Sequence, residues 1–327
     1  MSALLEIEDL RVEFPGVIAV NGLSFALAED EVLAIVGESG CGKTVTGLSI
    51  LGLEPRGARV TGHVRLRGED LRMTDAKRLR DIRGREIAMV FQEPMTSLNP
   101  SFTVGYQVAE VLRRHQGMTR GQARDRVREL FELVRMPSPE RHLREYPHQL
   151  SGGMRQRVMI AMAVACDPAV LIADEPTTAL DPTIQVQILD LLRELRARLS
   201  LSVVLITHNL GVVTDLADRV LVMYAGHKVE ESAVGEVFTA PLHPYATGLL
   251  NALPRPGASR ATHRLTAIGG QVPLLSTDPA SCVFSDRCPL VTDACLREQP
   301  PLLEVRPGHL AACVRAGERV TKAVHYE

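Results

Sequence analysis

At 327 residues the chain exceeds the usual single-domain size, so one large domain with an appendage, or two domains, is expected. A hydrophobic fraction of 45% against 23% charged residues excludes disorder, and a formal charge of −2 excludes a global drive toward nucleic acid or anionic lipid. The longest unbroken apolar run, Val158–Cys166, is nine residues, far short of the ~20 a membrane-spanning helix needs.

Met1–Leu10 carries Glu6, Glu8 and Asp9 and no basic residue, so no secretory signal is expected there. Residues 4–36 read as short strands: Leu4–Val12 alternates in part, and Val32–Val36 is a continuous β-rich run typical of a buried strand. A glycine-rich turn follows, then a helix over Thr44–Leu53. Ile87–Phe91 reads as another apolar strand before a polar, proline-containing loop, Gln92–Pro100. Residues 103–135 are helical in pattern, with Val104, Val108, Val111 and Leu112 on one face. A helix opening at Ser151 continues through Val158 to Ala165. Val170–Ala173 and Val203–Ile206 are buried-strand candidates, separated by the amphipathic helix Ile184–Leu199. Strand, helix, strand in this order implies right-handed crossovers and a parallel sheet. From about 241 the texture changes: Pro241, Pro244, Pro254, Pro256, Pro273 and Pro279 interrupt any long periodicity, and a boundary or tail is expected there.

Of the 37 basic residues only Lys43, Lys77, Lys228 and Lys322 are lysines. The arginines are balanced by acids on the expected helices, and aromatics are only 4%, so an RNA-binding reading is set aside. One of the four lysines lies in Gly37-Glu38-Ser39-Gly40-Cys41-Gly42-Lys43-Thr44, which fits G-x-x-x-x-G-K-[ST]. In that pattern the glycines (Gly37, Gly40, Gly42), with Ser39 and Cys41 between them, let backbone N–H groups wrap phosphate oxygens. Lys43 adds charge, and Thr44 offers a hydroxyl to Mg²⁺. Val170–Ala173 ends in Asp174 and Glu175. At the carboxyl edge of a parallel sheet these acids are placed to organise Mg²⁺ and to face the terminal phosphate. Ser151-Gly152-Gly153 opens a helix with a capping hydroxyl and exposed N–H groups, a second anion-binding end.

Leu150–Arg157 resembles the signature of ATP-binding-cassette (ABC) proteins, and with the phosphate loop and the Asp174-Glu175 strand it identifies the chain as similar to that family. The resemblance implies an α/β fold, a P-loop NTPase cassette. It has a RecA-like parallel sheet core, an antiparallel β subdomain and an α-helical signature subdomain at about 93–165. Residues 1–240 are expected to form the nucleotide-binding domain. It further implies that Gln92 is the Q-loop glutamine touching Mg²⁺ and the attacking water, that Ala179-Leu180-Asp181 is the D-loop, and that His208 is the switch histidine. Phe14, 23 residues before Gly37, falls where the family places an aromatic against adenine; an ordinary buried Phe is the alternative. Two cassettes then close head to tail, each ATP lying between the phosphate loop of one and the Ser151–Gly153 helix end of the other. Glu175 polarises water, and His208 holds it and the γ-phosphate.

Gln92–Pro100 closely resembles the dipeptide/oligopeptide/nickel permease branch. Ser151–Ala163 and Ala173–Asp181 look like its D-type ATPase subunit, and Pro241-Leu242-His243-Pro244-Tyr245 looks like the branch's C-terminal signature. Pro182 stands where the branch more often has Val, at a first helical turn where proline is tolerated. The resemblance implies an ATPase subunit powering import of di- or oligopeptides from the cytoplasmic face of the membrane. Its partners are an F-type ATPase subunit, two membrane permeases and, indirectly, an extracytoplasmic substrate-binding protein. Import of nickel or another small solute is the alternative. A soluble cassette switch acting on nucleic acid or translation is remote, because the chain has one cassette and no coiled-coil insertion. The 241–327 extension holds Cys282, Cys288, Cys295 and Cys313, separated by five, six and seventeen residues. Four thiolates can hold Zn²⁺ or a [4Fe–4S] cluster. The wide spacing and the Cys288-Pro289 step favour the cluster, with plain thiols or disulfides as the other reading. Its role is expected to be that of a staple for a tail poor in secondary structure. Cys166, in an apolar helix, reads as a small hydrophobe.

Overall fold

Alternation, broken once in each strand, decides the first two strands. β1 (Leu5–Phe14) and β2 (Val17–Leu27) each bury every second residue over most of their length, including Leu10, Val12, Val20, Leu23 and Phe25. They are joined by Pro15-Gly16, with Gly16 at φ 77°. These strands run ten and eleven residues where short ones were expected, because the two-residue Pro-Gly turn lets both alternating runs pair along their length. The computed structural model describes residues 3–93, 97–178, 180–252 and 268–316. Pro94–Thr96 of the expected Q-loop segment, Ala179 of the expected D-loop, Pro254 and Pro256 lie outside the described residues.

β3 (Val32–Val36) is buried at every position, and α1 (Lys43–Ile50) starts at Gly42. β4 (Arg59–Leu66) and β5 (Glu69–Asp70) follow, then α2 (Ala76–Ile82), whose N-cap Asp75 accepts from the Lys77 and Arg78 N–H groups. β6 (Ile87–Val90) stops one residue short of the expected Phe91, which is exposed. The single helical pattern over 103–135 resolves into α3 (Val104–Gln116) and α4 (Arg120–Leu133). Gly117 ends α3 in the left-handed conformation at φ 65°, and Thr119 starts α4 with a reciprocal capping box to Gln122. Continuous amphipathicity hides such a break, since both helices carry buried residues at helical spacing. α5 (Gly152–Ala163), β7 (Val170–Asp174), α6 (Pro182–Leu199) and β8 (Ser202–Thr207) match the expected elements within three residues at either end. α7 (Leu210–Leu216), β9 (Arg219–Tyr224), β10 (His227–Ala233), α8 (Val234–Thr239) and α9 (Pro244–Asn251) come next. α10 (Asp293–Arg297), β11 (Leu303–Arg306) and β12 (His309–Ala311) complete the described chain.

The chain divides into two compact units, Met1–Leu5 with Leu27–Val32 and Met73–Leu205, and Glu6–Ala26 with Leu33–Arg72 and Ile206–Glu327. In the first, β6 pairs in parallel with β7, from Ile87↔Val170 to Val90↔Ala173, and β8 flanks β7. Helices α3, α4 and α5 pack on one another, and α5 also meets β6 and α6. The buried Arg157 guanidinium ties this layer together, donating to Val134 O at 2.6 Å and to Gln187 Oε1 at 3.0 Å. Burial lowers the Arg157 pKa from its usual value.

In the second unit, β2, β1, β4 and β5 form a four-stranded sheet in that order. Beside it β3 pairs in parallel with β9, β9 antiparallel with β10, β10 with β12, and β12 with β11. The C-terminal region therefore extends a sheet that also carries the strand leading into the phosphate loop. As expected, the described tail beyond α9 is poor in secondary structure, with one 3-10 turn, α10, β11 and β12, but β12 docks it on β10. Pro241, Pro273 and Pro279 lie outside the helices and strands, and Pro244 opens α9 at its first turn, where proline is tolerated.

Candidate functional site

The second unit carries the phosphate loop at the carboxyl end of β3. Gly42 has φ 101°, and a Cβ there falls 2.3 Å from Ala19 O; a Cβ on Gly37 falls 2.2 Å from Met223 O. Only glycine fits either place, so the backbone runs against its neighbours without side chains between. Ser39, Gly40 and Thr44 are exposed at the mouth of the loop, while Cys41 and Lys43 are buried. Lys43 Nζ donates to Gly37 O at 2.8 Å and to Glu38 O at 2.9 Å, spanning the loop. Burial raises the Cys41 thiol pKa, the nearby Lys43 opposing it, so this cysteine is a neutral packing group. In the same unit Phe14 is half-buried at the end of β1. His208 is exposed just beyond β8, next to Asn209, whose side chain caps α7 through Gly211 N at 3.0 Å.

The first unit carries the carboxylates. Asp174 ends the fully buried β7 and is 1% exposed. Glu175 turns the chain with φ 47°, a left-handed conformation that costs a non-glycine residue on the order of 1 kcal/mol. Gln92 Nε2 donates to Glu175 Oε2 at 3.4 Å, and Thr178 Oγ1 donates to the same oxygen at 2.6 Å. The structure thus brings Gln92 and Glu175 together, although 83 residues separate them. Ser151 caps α5, its Oγ accepting from Met154 N at 3.3 Å. Ser151 and Gly152 are exposed, and Gly153 lies against Ile184 of α6. Asp181 caps α6, accepting from Ile184 N at 3.0 Å.

Three residues that sequence reasoning left without a role stand at the phosphate loop: Glu38, Tyr245 and Arg287. Only Tyr245 had a signal, as the last residue of the Pro241–Tyr245 run. The four tail cysteines, also in the second unit, line one small apolar cavity with His243, Phe284 and Leu290. Among the described residues no three His, Cys, Asp or Glu side chains gather as one metal ion requires. A mononuclear zinc centre therefore finds no fit, and all four are free thiols. Burial pushes the Cys288 thiol up to about 12 and the Cys313 thiol up to about 11.

A glycine-bound phosphate loop after a buried strand, with paired carboxylates at the end of another, defines a P-loop nucleotide-binding protein. Two family profiles match, one described as ABC transporter over residues 20–178 and one as oligopeptide/dipeptide transporter, C-terminal region, over 229–295. A probable peptide ABC transporter ATP-binding protein of Sinorhizobium fredii, y4tR, is 48% identical, over 97% of this chain and 96% of its own. The oligopeptide transport ATP-binding protein AppD of Bacillus subtilis is 46% identical, over 96% of this chain and 97% of its own. Among solved structures, the dimeric bacterial ABC transporter cassette MJ0796 superposes with a TM-score of 0.63 at 27% identity, covering 70% of this chain and 98% of that one. The chain belongs to the ABC transporter family, in the branch that carries the oligopeptide/dipeptide C-terminal region.

Proposed function

We propose that this chain is the ATP-hydrolysing subunit that couples ATP binding and hydrolysis to import of di- or oligopeptides through a membrane permease complex. The observation that carries the ATPase reading is the Gln92–Glu175 contact at the end of β7, in a chain whose phosphate loop is already shaped by Gly37 and Gly42. Glu175 polarises the attacking water, Gln92 reports on it, and His208 holds the γ-phosphate side. Phe14 stacks on adenine, and Ser39–Thr44 cradle the phosphates. The Thr44 hydroxyl, the Gln92 amide and the Asp174 carboxylate each offer an oxygen donor of the kind a hard cation takes, and Mg²⁺ would neutralise charge developing on the phosphates. Glu175→Gln tests this directly: ATP stays bound and hydrolysis falls by at least about a hundredfold, and a rate near wild type refutes the assignment.

The exposed Ser151-Gly152 end of α5 is offered to the ATP of a second cassette, here an F-type subunit, with Asp181 at the same junction. No helix among the described residues is long and apolar enough to cross a membrane. In this reading the chain works on two separate permease subunits, as the family relationship suggests. They dock at its membrane side, the cytoplasmic face, near Gln92–Pro100. Phe91, Phe102 and Tyr106 are exposed there, the last two stacked with centroids 5.1 Å apart. In this reading residues 1–240, with the helical part at about 93–165, handle nucleotide, and 241–327 form the branch-specific extension. An extracytoplasmic binding protein selects the cargo. Uptake of labelled peptide, lost in a deletion strain and restored by this chain, supports the cargo; loss of nickel uptake alone overturns it.

The same proposal includes a [4Fe–4S] cluster on Cys282, Cys288, Cys295 and Cys313. Its support is that the four thiols line one cavity, where burial disfavours the thiolates of Cys282, Cys288 and Cys313 unless a cation compensates. The cluster would supply that charge and crosslink the extension. An anaerobic preparation with neither iron nor visible colour removes the idea.

A further inference from the structure

Glu38 is the second residue of the phosphate loop, and three of its groups are held. Lys43 Nζ donates to its carbonyl oxygen at 2.9 Å. Its backbone N–H donates to Tyr245 Oη at 2.8 Å. Its carboxylate receives both terminal nitrogens of Arg287, at 2.8 and 2.9 Å, in the two-pronged geometry that only arginine makes. Two of these holds therefore come from the C-terminal region, 207 and 249 residues further along the chain.

Both holders are themselves fixed. Tyr245 is fully buried and meets Tyr224 edge-on at 4.7 Å and Phe284 at 5.4 Å. The Arg287 side chain is 6% exposed. Its guanidinium lies over the Tyr224 ring and also donates to Gly269 O at 2.7 Å and Ile268 O at 3.2 Å. It is carried by the short turn Ser285–Arg287, bracketed by Cys282 and Cys288 of the four-thiol cavity. A guanidinium with this many acceptors and no room to move is an anchor, not a surface ion pair.

A phosphate loop binds through several N–H groups presented together, so its apparent affinity scales with the fraction of molecules in which the loop is formed. The Glu38 N–H is turned to Tyr245 and leaves the phosphates to the residues after it. We infer that Arg287 and Tyr245 are positioning residues for the phosphate loop: by clamping Glu38, the C-terminal region sets the ATP affinity of the cassette. This rests on the loop being the ATP site and adds to that reading the element that controls it.

The test uses the full chain, with equilibrium binding of a fluorescent ATP analogue beside steady-state ATPase kinetics. Arg287→Ala is expected to raise Kd about tenfold, as a formed-loop fraction falling to about a tenth requires. The kcat at saturating ATP stays within about twofold, because the loss is in binding and not in the transition state. Arg287→Lys, a point charge without the fork, falls between the two. Glu38→Gln weakens the clamp from the loop side without touching the extension, and Tyr245→Phe removes the acceptor for the Glu38 N–H. Each raises Kd about threefold or more by the same logic, even if Arg287→Ala fails to fold. A merely structural role for Arg287 would lower kcat along with stability and leave Glu38→Gln silent. Kd within about twofold of wild type for both Glu38→Gln and Tyr245→Phe, while Lys43→Ala no longer binds, overturns the clamp. If Lys43→Ala binds like wild type, the ATP-site reading itself fails instead.

Discussion

Replacing Glu230 by alanine removes one carboxylate on which three segments of the C-terminal half converge. Glu230 lies in β10 and is fully buried. Its Oε1 accepts from Leu242 N at 2.9 Å and from His309 Nε2 at 2.7 Å, and its Oε2 accepts from His243 N at 2.8 Å. These bonds join β10 to the entry of α9 and to β12, so the side chain is a cross-brace between the 229–233 strand and everything after it. Hydrogen bonds to a charged group contribute about 1.5–3 kcal/mol each, and a buried donor left without a partner costs about 1–3 kcal/mol. Losing the buried charge returns part of this as relieved desolvation, so the net loss is about 3–5 kcal/mol. Because the chain has two compact units, one global unfolding energy is not the right readout. Hydrogen exchange followed by mass spectrometry is better, reading the peptides that hold Leu242–His243 and β12. The expectation is faster exchange there by about a hundredfold or more, with α3–α5 unchanged. Exchange faster by less than about fivefold, equivalent to about 1 kcal/mol, would refute the cross-brace.

Gly42→Ala places a Cβ 2.3 Å from Ala19 O at φ 101°, so the loop must shift; ATP affinity falls by at least about tenfold while the chain stays folded by circular dichroism. Ser151→Ala removes the α5 cap and costs about 1 kcal/mol in thermal stability. Because that helix end faces outward, the same change lowers the ATPase rate of the paired complex and leaves ATP binding by the single chain intact. Arg157→Ala deletes the bonds to Val134 O and Gln187 Oε1, destabilising the helical layer by about 2–4 kcal/mol, read as faster hydrogen exchange of the α3–α5 peptides.

The phosphate loop, the Asp174-Glu175 pair and the Ser151 helix start are legible as sequence because their chemistry sits within a few consecutive residues of one strand–turn–helix step. The buried strands β3, β6, β7 and β8 are legible for the same reason: a short, unbroken apolar run has few other places to go. The hairpin of β1 and β2 is less legible because Glu8-Asp9 and Asn21-Gly22 interrupt the alternation within each strand. The break between α3 and α4 escaped because Gly117 and Thr119 interrupt a pattern that continues on one face. What residues 32–53, 87–90 and 151–206 do locally was thus largely written in their order, whereas β4, β5, α2, α7, β9, β10 and α8 were not expected from it. The meeting of Gln92 with Glu175, the closing of four widely spaced thiols on one cavity, and the reach of Tyr245 and Arg287 back to Glu38 were not. Contacts across 83 to 249 residues leave no periodicity in the chain. Parallel pairing of β6 with β7 sets Gln92, just past one strand, beside Glu175, just past the other, and pairing of β3 with β9 sets the start of the phosphate loop near Tyr224, against which Tyr245 and Arg287 pack.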